Sequence, residues 1–286
     1  MNFARPAGVI PARPLSFQSS FSRSGVFACA GVLAALNAQA DVIINALTYE
    51  PVLTAVANLG GVSAVMWVAM YVALKLGCDD ESPALTRTDA MVVAAVVTLS
   101  FLPVSYAAQV GLLLCAIYLL LNSDSGSASR GVSILLLALT GPLLWGRILL
   151  HVLALPLLSL DAHLVALTIG TKVEGNTVQF AGSATPFLIA GPCSSLHNMS
   201  LAVVLWSTAG VLFRVRLDAR FTAWGLAMAA WMFLVNVARL AAIGCYPADF
   251  HFLHEGLGAD MFGWAGLLGA GALAAMGVSS AVVRQR

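Results

Sequence analysis

The sequence predicts an all-α polytopic membrane protein, and its composition carries most of that prediction. Of the 286 residues, 60% are apolar and only 9% are charged, and the mean hydropathy is +0.91. Soluble domains carry about 25% charged residues. The apolar residues form long unbroken runs and lack the alternation of an outer-membrane barrel. Because a helix needs about 20 apolar residues to cross a ~30 Å hydrocarbon core, we expect about eight transmembrane helices and no sizeable soluble domain.

Eight apolar runs supply the candidate helices. They cover about 25–47, 52–76, 90–104, 107–121, 131–158, 194–213, 221–246 and 256–283. We interpret residues 1–24 as a polar cytoplasmic segment and 25–286 as a single transmembrane domain, with a catalytic half at about 131–283. One longer outer loop, about 159–192, has turn and strand character around Gly175. Alternatively, the first run is a signal peptide, since Ala38-Gln39-Ala40 resembles a cleavage site.

The distribution of Lys and Arg predicts the sidedness of the chain. Positive residues in short loops stay cytoplasmic. With the N-terminus inside, every Lys and Arg falls on the cytoplasmic side except Lys172, Arg147 and Arg239. We therefore expect a multi-pass protein of the cytoplasmic (inner) membrane with both termini inside. Membrane lipids are expected partners, whereas a net charge of +1 gives no indication of nucleic-acid binding.

Polar residues within the spans point to one layer near the outer face. Such residues are costly in a membrane and are usually functional. At 1.5 Å per residue, Arg147 lies ~24 Å along the fifth span and Arg239 ~27 Å along the seventh. Asn236 precedes Arg239 by one turn on the same face, Cys193 opens the sixth span, and His254 precedes the eighth. Arg147 is also explained by snorkelling to the head groups.

Cys193 has the sequence context of a nucleophile. In Gly191-Pro192-Cys193-Ser194-Ser195, Gly-Pro breaks the incoming chain, and Ser194 or Ser195 can cap the helix that follows. Free N–H groups and the positive end of the helix dipole favour a thiolate at that position. A thiol, a histidine and an arginine at one depth are the components of a thiol acyltransferase site.

The remaining cysteines suggest neither a metal site nor a disulfide framework. Cys29, Cys78, Cys115 and Cys245 show no CxxC motif and no Cys/His ligand spacing. We expect no metal and no organic cofactor.

Three motifs together resemble the exosortase/archaeosortase family of membrane cysteine transpeptidases. They are Gly191-Pro192-Cys193-Ser194-Ser195-Leu196, Asn236-Val237-Ala238-Arg239-Leu240 and His254-Glu255-Gly256-Leu257-Gly258. The resemblance covers about residues 131–283 and departs at Ser195, where the family most often has Gly, which indicates a divergent branch. It implies a protein-sorting enzyme that cuts a C-terminal sorting tail, made of a short motif, a transmembrane helix and a basic end, at the outer face. In many bacterial members these systems accompany exopolysaccharide production.

The resemblance also implies roles for individual residues. Cys193 would form a thioester with the substrate protein, Arg239 would hold the oxyanion, and His254 would protonate the leaving amine before an acceptor resolves the thioester. His251 stays open as the alternative histidine, although the spacing to the glycines favours His254. The residues expected to support the site or bind substrate are Asn236, Ser194, Ser195 and Arg147.

Two other functions remain open at the level of sequence. In a secondary transporter or small-solute channel, a pathway would be lined by Asp41, Arg147, His151 and Arg239. Transporter sites usually lie near the membrane midplane between repeats, and no repeat is visible here. In an intramembrane serine protease, Ser194 or Ser195 would act with His197. Of the three mechanisms, only the transpeptidase needs the sulfur of Cys193.

Overall fold

The computed structural model describes residues 22–80, 85–104, 106–180 and 186–285. Its helices are α1 (Arg23–Asn37), α2 (Ala40–Tyr49), α3 (Val52–Ala57), α4 (Ala64–Cys78), α5 (Arg87–Phe101), α6 (Ala107–Leu121), α7 (Ala128–Thr140), α8 (Gly146–Val152), α9 (Ala154–Ile169), α10 (Ser195–Leu212), α11 (Ala219–Cys245), α12 (Phe250–His254) and α13 (Leu257–Gln285). Short strands β1 (Val173–Glu174), β2 (Thr177–Val178) and β3 (Phe187–Leu188) form an antiparallel sheet. The predicted N-terminal polar segment lies almost entirely outside the described residues.

Helix α1 lies at the centre of a bundle with α4, α5, α6 and α7. Phe27 and Ala28 on α1 are completely buried. A Cβ atom at Gly77 of α4 would lie 2.8 Å from the Cβ of Ala28, so glycine is what lets α1 and α4 approach so closely. These helices form the first hydrophobic core of the chain.

Helix α11 packs antiparallel to both α10 and α13 in the second half of the chain. Trp206 of α10 stacks on Phe221 of α11 with ring centroids 5.3 Å apart, and its indole donates a hydrogen bond to the Phe221 carbonyl. Farther along α11, the Trp231 indole donates to the Gly266 carbonyl of α13 at 3.1 Å. Late α11 and early α13 therefore share one end of the molecule with the start of α10.

The helices confirm the membrane character of the chain. By length and composition, four helices of the described residues can cross a membrane: Ala128–Val152, Ser195–Leu212, Ala219–Cys245 and Leu257–Val283. A fifth is present if α1 and α2, bent by 55° at residues 38–39, count as one span. Eight full-length spans are not seen among the described residues, because several predicted runs are divided or form shorter helices. The run at 52–76, for example, is interrupted by Leu59–Gly61, where Gly60 and Gly61 have positive φ.

The predicted fifth span and outer loop need correction. Beyond α7 the chain continues through a π-helical segment, Gly141–Trp145, and α8, and it bends at Leu153. Residues 154–169, mostly assigned to the loop of about 159–192, are instead helix α9. One polar residue of that stretch, Asp161, is buried and hydrogen-bonded within the protein. The strand character around Gly175 is confirmed, since β1 and β2 pair across this glycine at φ 58°.

Arg23 and Cys193 lie at opposite ends of the molecule. Arg23 at the start of α1 bonds to Asp89 at the start of α5 and to the Asn122 carbonyl at the end of α6. Val211, near the end of α10, packs against Gly131 near the start of α7, at this same end. Since α10 is ~27 Å long at 1.5 Å per residue, Cys193 before its first turn is at the far end.

Candidate functional site

The Cys193 turn consists of a 3₁₀ segment, Gly191–Cys193, followed by the N-cap of α10. The Cys193 N–H donates to the Ala190 carbonyl at 2.9 Å. Ser194 is the N-cap, and its Oγ accepts a hydrogen bond from the Leu196 N–H at 3.2 Å. The predicted chain break and serine cap are both present. Cys193 is 7% exposed, and it packs within the hydrophobic cluster formed with α9, α11 and the sheet.

His254 is the histidine beside the thiol. Its Nε2 lies 3.6 Å from the Sγ of Cys193, within hydrogen-bonding distance for sulfur. The imidazole stacks on Phe250 at a centroid distance of 4.8 Å, and Phe250 meets Phe187 of β3 edge-on at 6.1 Å. The small sheet therefore supports the ring from behind. His251 is exposed and meets Phe250 edge-on at 5.7 Å.

Two glycines after His254 permit the close turn into α13. A Cβ atom at Gly258 would lie 2.8 Å from the Phe252 carbonyl oxygen, and one at Gly256 would lie 3.1 Å from the same atom. Any side chain at Gly258 would force α12 away from α13 and move His254 with it.

Asn236 connects α11 to the Cys193 turn. Its side chain is 3% exposed, and its Nδ2 donates to the Cys193 carbonyl at 2.8 Å and to the Ser195 Oγ at 3.0 Å. Its Oδ1 accepts a hydrogen bond from Asn198 Nδ2 at 3.3 Å. Asn236 and Ser195, both predicted as supporting residues, therefore bond to each other, and the amide fixes the backbone of the cysteine itself.

Asp161 is a site residue that the sequence analysis missed. Its Oδ2 accepts a hydrogen bond from the Ser195 N–H at 3.0 Å, and the residue is only 2% exposed. This N–H is one of the first-turn donors that a helix leaves unpaired. The criterion that selected Arg239, an ionisable residue in an apolar run, would also have selected Asp161 if the run had been extended through α9.

Arg239 lies one turn beyond Asn236 and faces a pocket between α10, α11 and α13. The pocket has about 330 Å³ of empty volume, part of it open to solvent, and is lined by Asn198, Met232, Val235, Asn236, Arg239, Phe262, Gly263 and Gly266. The buried Arg239 Nε has no hydrogen-bond partner among the described residues. No described hydrogen bond links Arg239 to Cys193 or His254.

His254 is also incompletely satisfied. Its buried Nδ1 lies 3.4 Å from Oε1 of the exposed Glu255, without the geometry of a hydrogen bond. In the described part of the chain, the Arg239 Nε and the His254 Nδ1 are the buried side-chain polar atoms that have no hydrogen-bond partner. Buried polar atoms in folded proteins are nearly always paired, so both nitrogens retain donor or acceptor capacity for another molecule.

Other predicted residues are not connected to this site. Arg147 is exposed on α8, and among the described contacts it has no hydrogen bond or ion pair with the site. Asp41 and His151 are exposed as well. His197 is exposed in the first turn of α10, and no described hydrogen bond joins its imidazole to Ser194 or Ser195.

Metal ligands and similar proteins give no further information on the site. Among the described residues, no three His, Cys, Asp or Glu side chains are grouped as metal ligands. Comparison of the chain with protein-family models, curated proteins and solved structures returned no significant match.

Proposed function

We propose that the chain is a membrane cysteine transpeptidase or endopeptidase of the exosortase type. The observation that carries the proposal is the 3.6 Å approach of the His254 Nε2 to the Cys193 Sγ. A thiol beside an imidazole, at the start of a helix, is the arrangement of an activated cysteine nucleophile. The unpaired Arg239 Nε and His254 Nδ1 support a site that completes its hydrogen bonds only with substrate.

The first chemical step forms a thioester. The Cys193 thiol gives its proton to the Nε2 of His254, and the sulfur attacks a backbone carbonyl carbon of the substrate. The resulting oxyanion is held by the Arg239 guanidinium, whose Nε is free to donate. When the C–N bond breaks, His254 returns the proton to the leaving amine. The products are a thioester on Cys193 and a tail with a new N-terminal amine.

The second step releases the substrate protein. An acceptor nucleophile attacks the thioester carbonyl and gives its proton to His254, and the sulfur leaves with a proton as the free thiol. With an amine acceptor the product is a new amide, and with water it is a carboxylic acid. No metal or organic cofactor takes part in either step.

The membrane arrangement belongs to the same proposal. Eight crossings, several of them made by divided or short helices, place both termini and the Arg23 end in the cytoplasm and the Cys193 end at the outer face. Such an orientation follows the preference of Lys and Arg for the cytoplasmic side. A sorting tail, itself a transmembrane helix with a basic end, would enter sideways and present its scissile bond at the depth of Cys193.

Replacement of Cys193 tests the proposal most directly. In cells that make a protein ending in a short motif, one hydrophobic helix and a basic end, we expect Cys193→Ala to abolish shortening of that protein. Cys193→Ser should be nearly as inactive, because a hydroxyl is a far weaker nucleophile than a thiol. The readout is the mass of the substrate on blots and by mass spectrometry.

Cys245 offers a matched control, since it is an exposed cysteine at the last residue of α11. Cys245→Ala should leave processing unchanged. Normal processing by Cys193→Ala would contradict the mechanism and favour a transporter or a serine protease, neither of which needs this sulfur.

A further inference from the structure

Three helices meet at the Cys193 turn, and each supplies at least one polar contact. The N-cap Ser194 belongs to α10 itself, Asn236 reaches the Cys193 carbonyl from α11, and Asp161 reaches the Ser195 N–H from α9. The Asn236 and Asp161 contacts hold peptide groups on both sides of Ser194. They therefore determine where the Cys193 thiol lies relative to α12.

Loss of the Asp161 hydrogen bond would be destabilising because its surroundings are apolar. The carboxyl group is 2% exposed, and α9 contributes Leu158, Ala162, Val165 and Ala166 to the hydrophobic cluster that contains Cys193. A buried polar group without a hydrogen bond is destabilising. Asp161 and the Ser195 N–H satisfy each other at 3.0 Å, so removal of the carboxyl would leave a buried donor unpaired at the cysteine turn.

We infer that Asp161 is the positioning residue of the nucleophile: by accepting the Ser195 N–H, it keeps the Cys193 thiol within reach of the His254 imidazole. Asp161 touches neither the sulfur nor the imidazole in the described contacts, and it acts through the backbone. The cleavage part of the inference rests on the proposed function, whereas the Cys193–His254 geometry can be measured without a substrate. Asp161 is needed because an isolated 3₁₀ turn before a helix has few hydrogen bonds of its own to fix its direction.

A double-mutant experiment on thiol reactivity tests the inference. Full-length protein in detergent is treated with iodoacetamide, and alkylation of Cys193 is followed by peptide-resolved mass spectrometry with exposed Cys245 as internal reference. In the wild type, we expect His254→Ala to slow alkylation of Cys193 by about tenfold or more, because the imidazole takes the thiol proton. In an Asp161→Ala background, the same substitution should change the rate less than about twofold, because the pair is already separated.

Two further backgrounds distinguish positioning from general damage. Asp161→Asn retains an oxygen that accepts the Ser195 N–H, so the effect of His254→Ala should be retained there. Asp89→Ala removes an equally buried carboxyl at the opposite end of the molecule, and the effect should be retained there too. With the sorting-tail substrate, Asp161→Ala should lower kcat more than it raises KM, and Asp161→Asn should restore most of the turnover.

The outcomes separate the inference from the proposed function. A full His254→Ala effect in the Asp161→Ala background would overturn the inference alone, as would loss of the effect in Asp161→Asn or in Asp89→Ala. No effect of His254→Ala in the wild type would contradict the proposed Cys193–His254 chemistry, and the inference would fall with it.

Discussion

Buried polar groups gather at both ends of the molecule, but they are satisfied to different degrees. At the Arg23 end, the Arg23 Nε donates to Asp89 Oδ1 at 2.9 Å, and the Tyr118 hydroxyl donates to the same oxygen at 3.1 Å. The Thr86 N–H and hydroxyl donate to Asp89 Oδ2 at 2.9 and 2.7 Å. At the Cys193 end, the Arg239 Nε and the His254 Nδ1 have no hydrogen-bond partner among the described residues.

This difference separates a network that is complete within the protein from one that we propose acts on a substrate. The Arg23–Asp89 network joins α1, α5 and α6 and uses its polar groups within the protein, so its role is complete without a ligand. Around Cys193, Asp161 and Asn236 are likewise paired, but the groups proposed to act on substrate are not. In a preorganised site, the supporting residues are expected to be hydrogen-bonded within the protein, whereas the residues that act on substrate keep unpaired donors and acceptors.

The largest effect expected at the Cys193 end, short of losing the nucleophile, comes from His254. His254→Ala should lower kcat for tail processing by about 10² to 10⁴-fold, the usual contribution of a general acid and base. His251→Ala should stay within a few-fold of wild type, since His251 is exposed and has no contact with Cys193 in the described structure. Single-turnover cleavage of a tailed substrate measures both, and the reverse ranking would transfer the role to His251.

Arg239 is next in size. A guanidinium has a planar set of donors that an ammonium does not reproduce, and loss of one oxyanion donor costs about 10² to 10³-fold in turnover. We therefore expect Arg239→Lys to reduce kcat to trace levels with the protein still folded. Arg147→Lys is the matched control on an exposed surface of α8 and should be mild. Equal losses at both positions would show that Arg147 belongs to the site despite its exposure.

At the Arg23 end, the expected loss is one of stability. Asp89→Ala leaves the largely buried Arg23 guanidinium without its carboxylate, and breaking a buried ion pair costs about 3–5 kcal/mol. The free energy of unfolding in detergent should fall by that amount, while alkylation of Cys193 per folded molecule stays at the wild-type rate. A processing defect with unchanged stability would remove the distinction between the two ends.

The helical membrane class was predictable from the sequence because long apolar runs directly indicate that the chain lies in lipid. It predicted α6 to the residue, as 107–121, since that run has sharp polar limits. Interruptions were harder to predict. The bend at residues 38–39 and the break at Gly60 and Gly61 lie inside the predicted runs 25–47 and 52–76, where packing against neighbouring helices contributes to whether a run stays straight.

The candidate site was predictable where local chemistry determines position. Gly-Pro before Cys193, a serine cap after it, and two glycines after His254 are short-range signals, and the structure contains all three features. Asp161 was not predictable from the same signals, because its contact with Ser195 spans 34 residues and depends on how α9 packs.

The smallest expected effect comes from Ser194, and it tests how far the Cys193 end depends on local capping. Ser194→Ala removes the Oγ that accepts the Leu196 N–H, and loss of an N-cap costs about 0.5–2 kcal/mol. Because Asp161 and Asn236 still hold the turn, processing should fall only a few-fold, and thermal unfolding should shift modestly. Complete loss of processing with a normal unfolding transition would instead make Ser194 a reacting group and favour the serine protease mechanism. Ser207→Ala, at a buried serine within the same helix, controls for loss of a hydroxyl away from the turn.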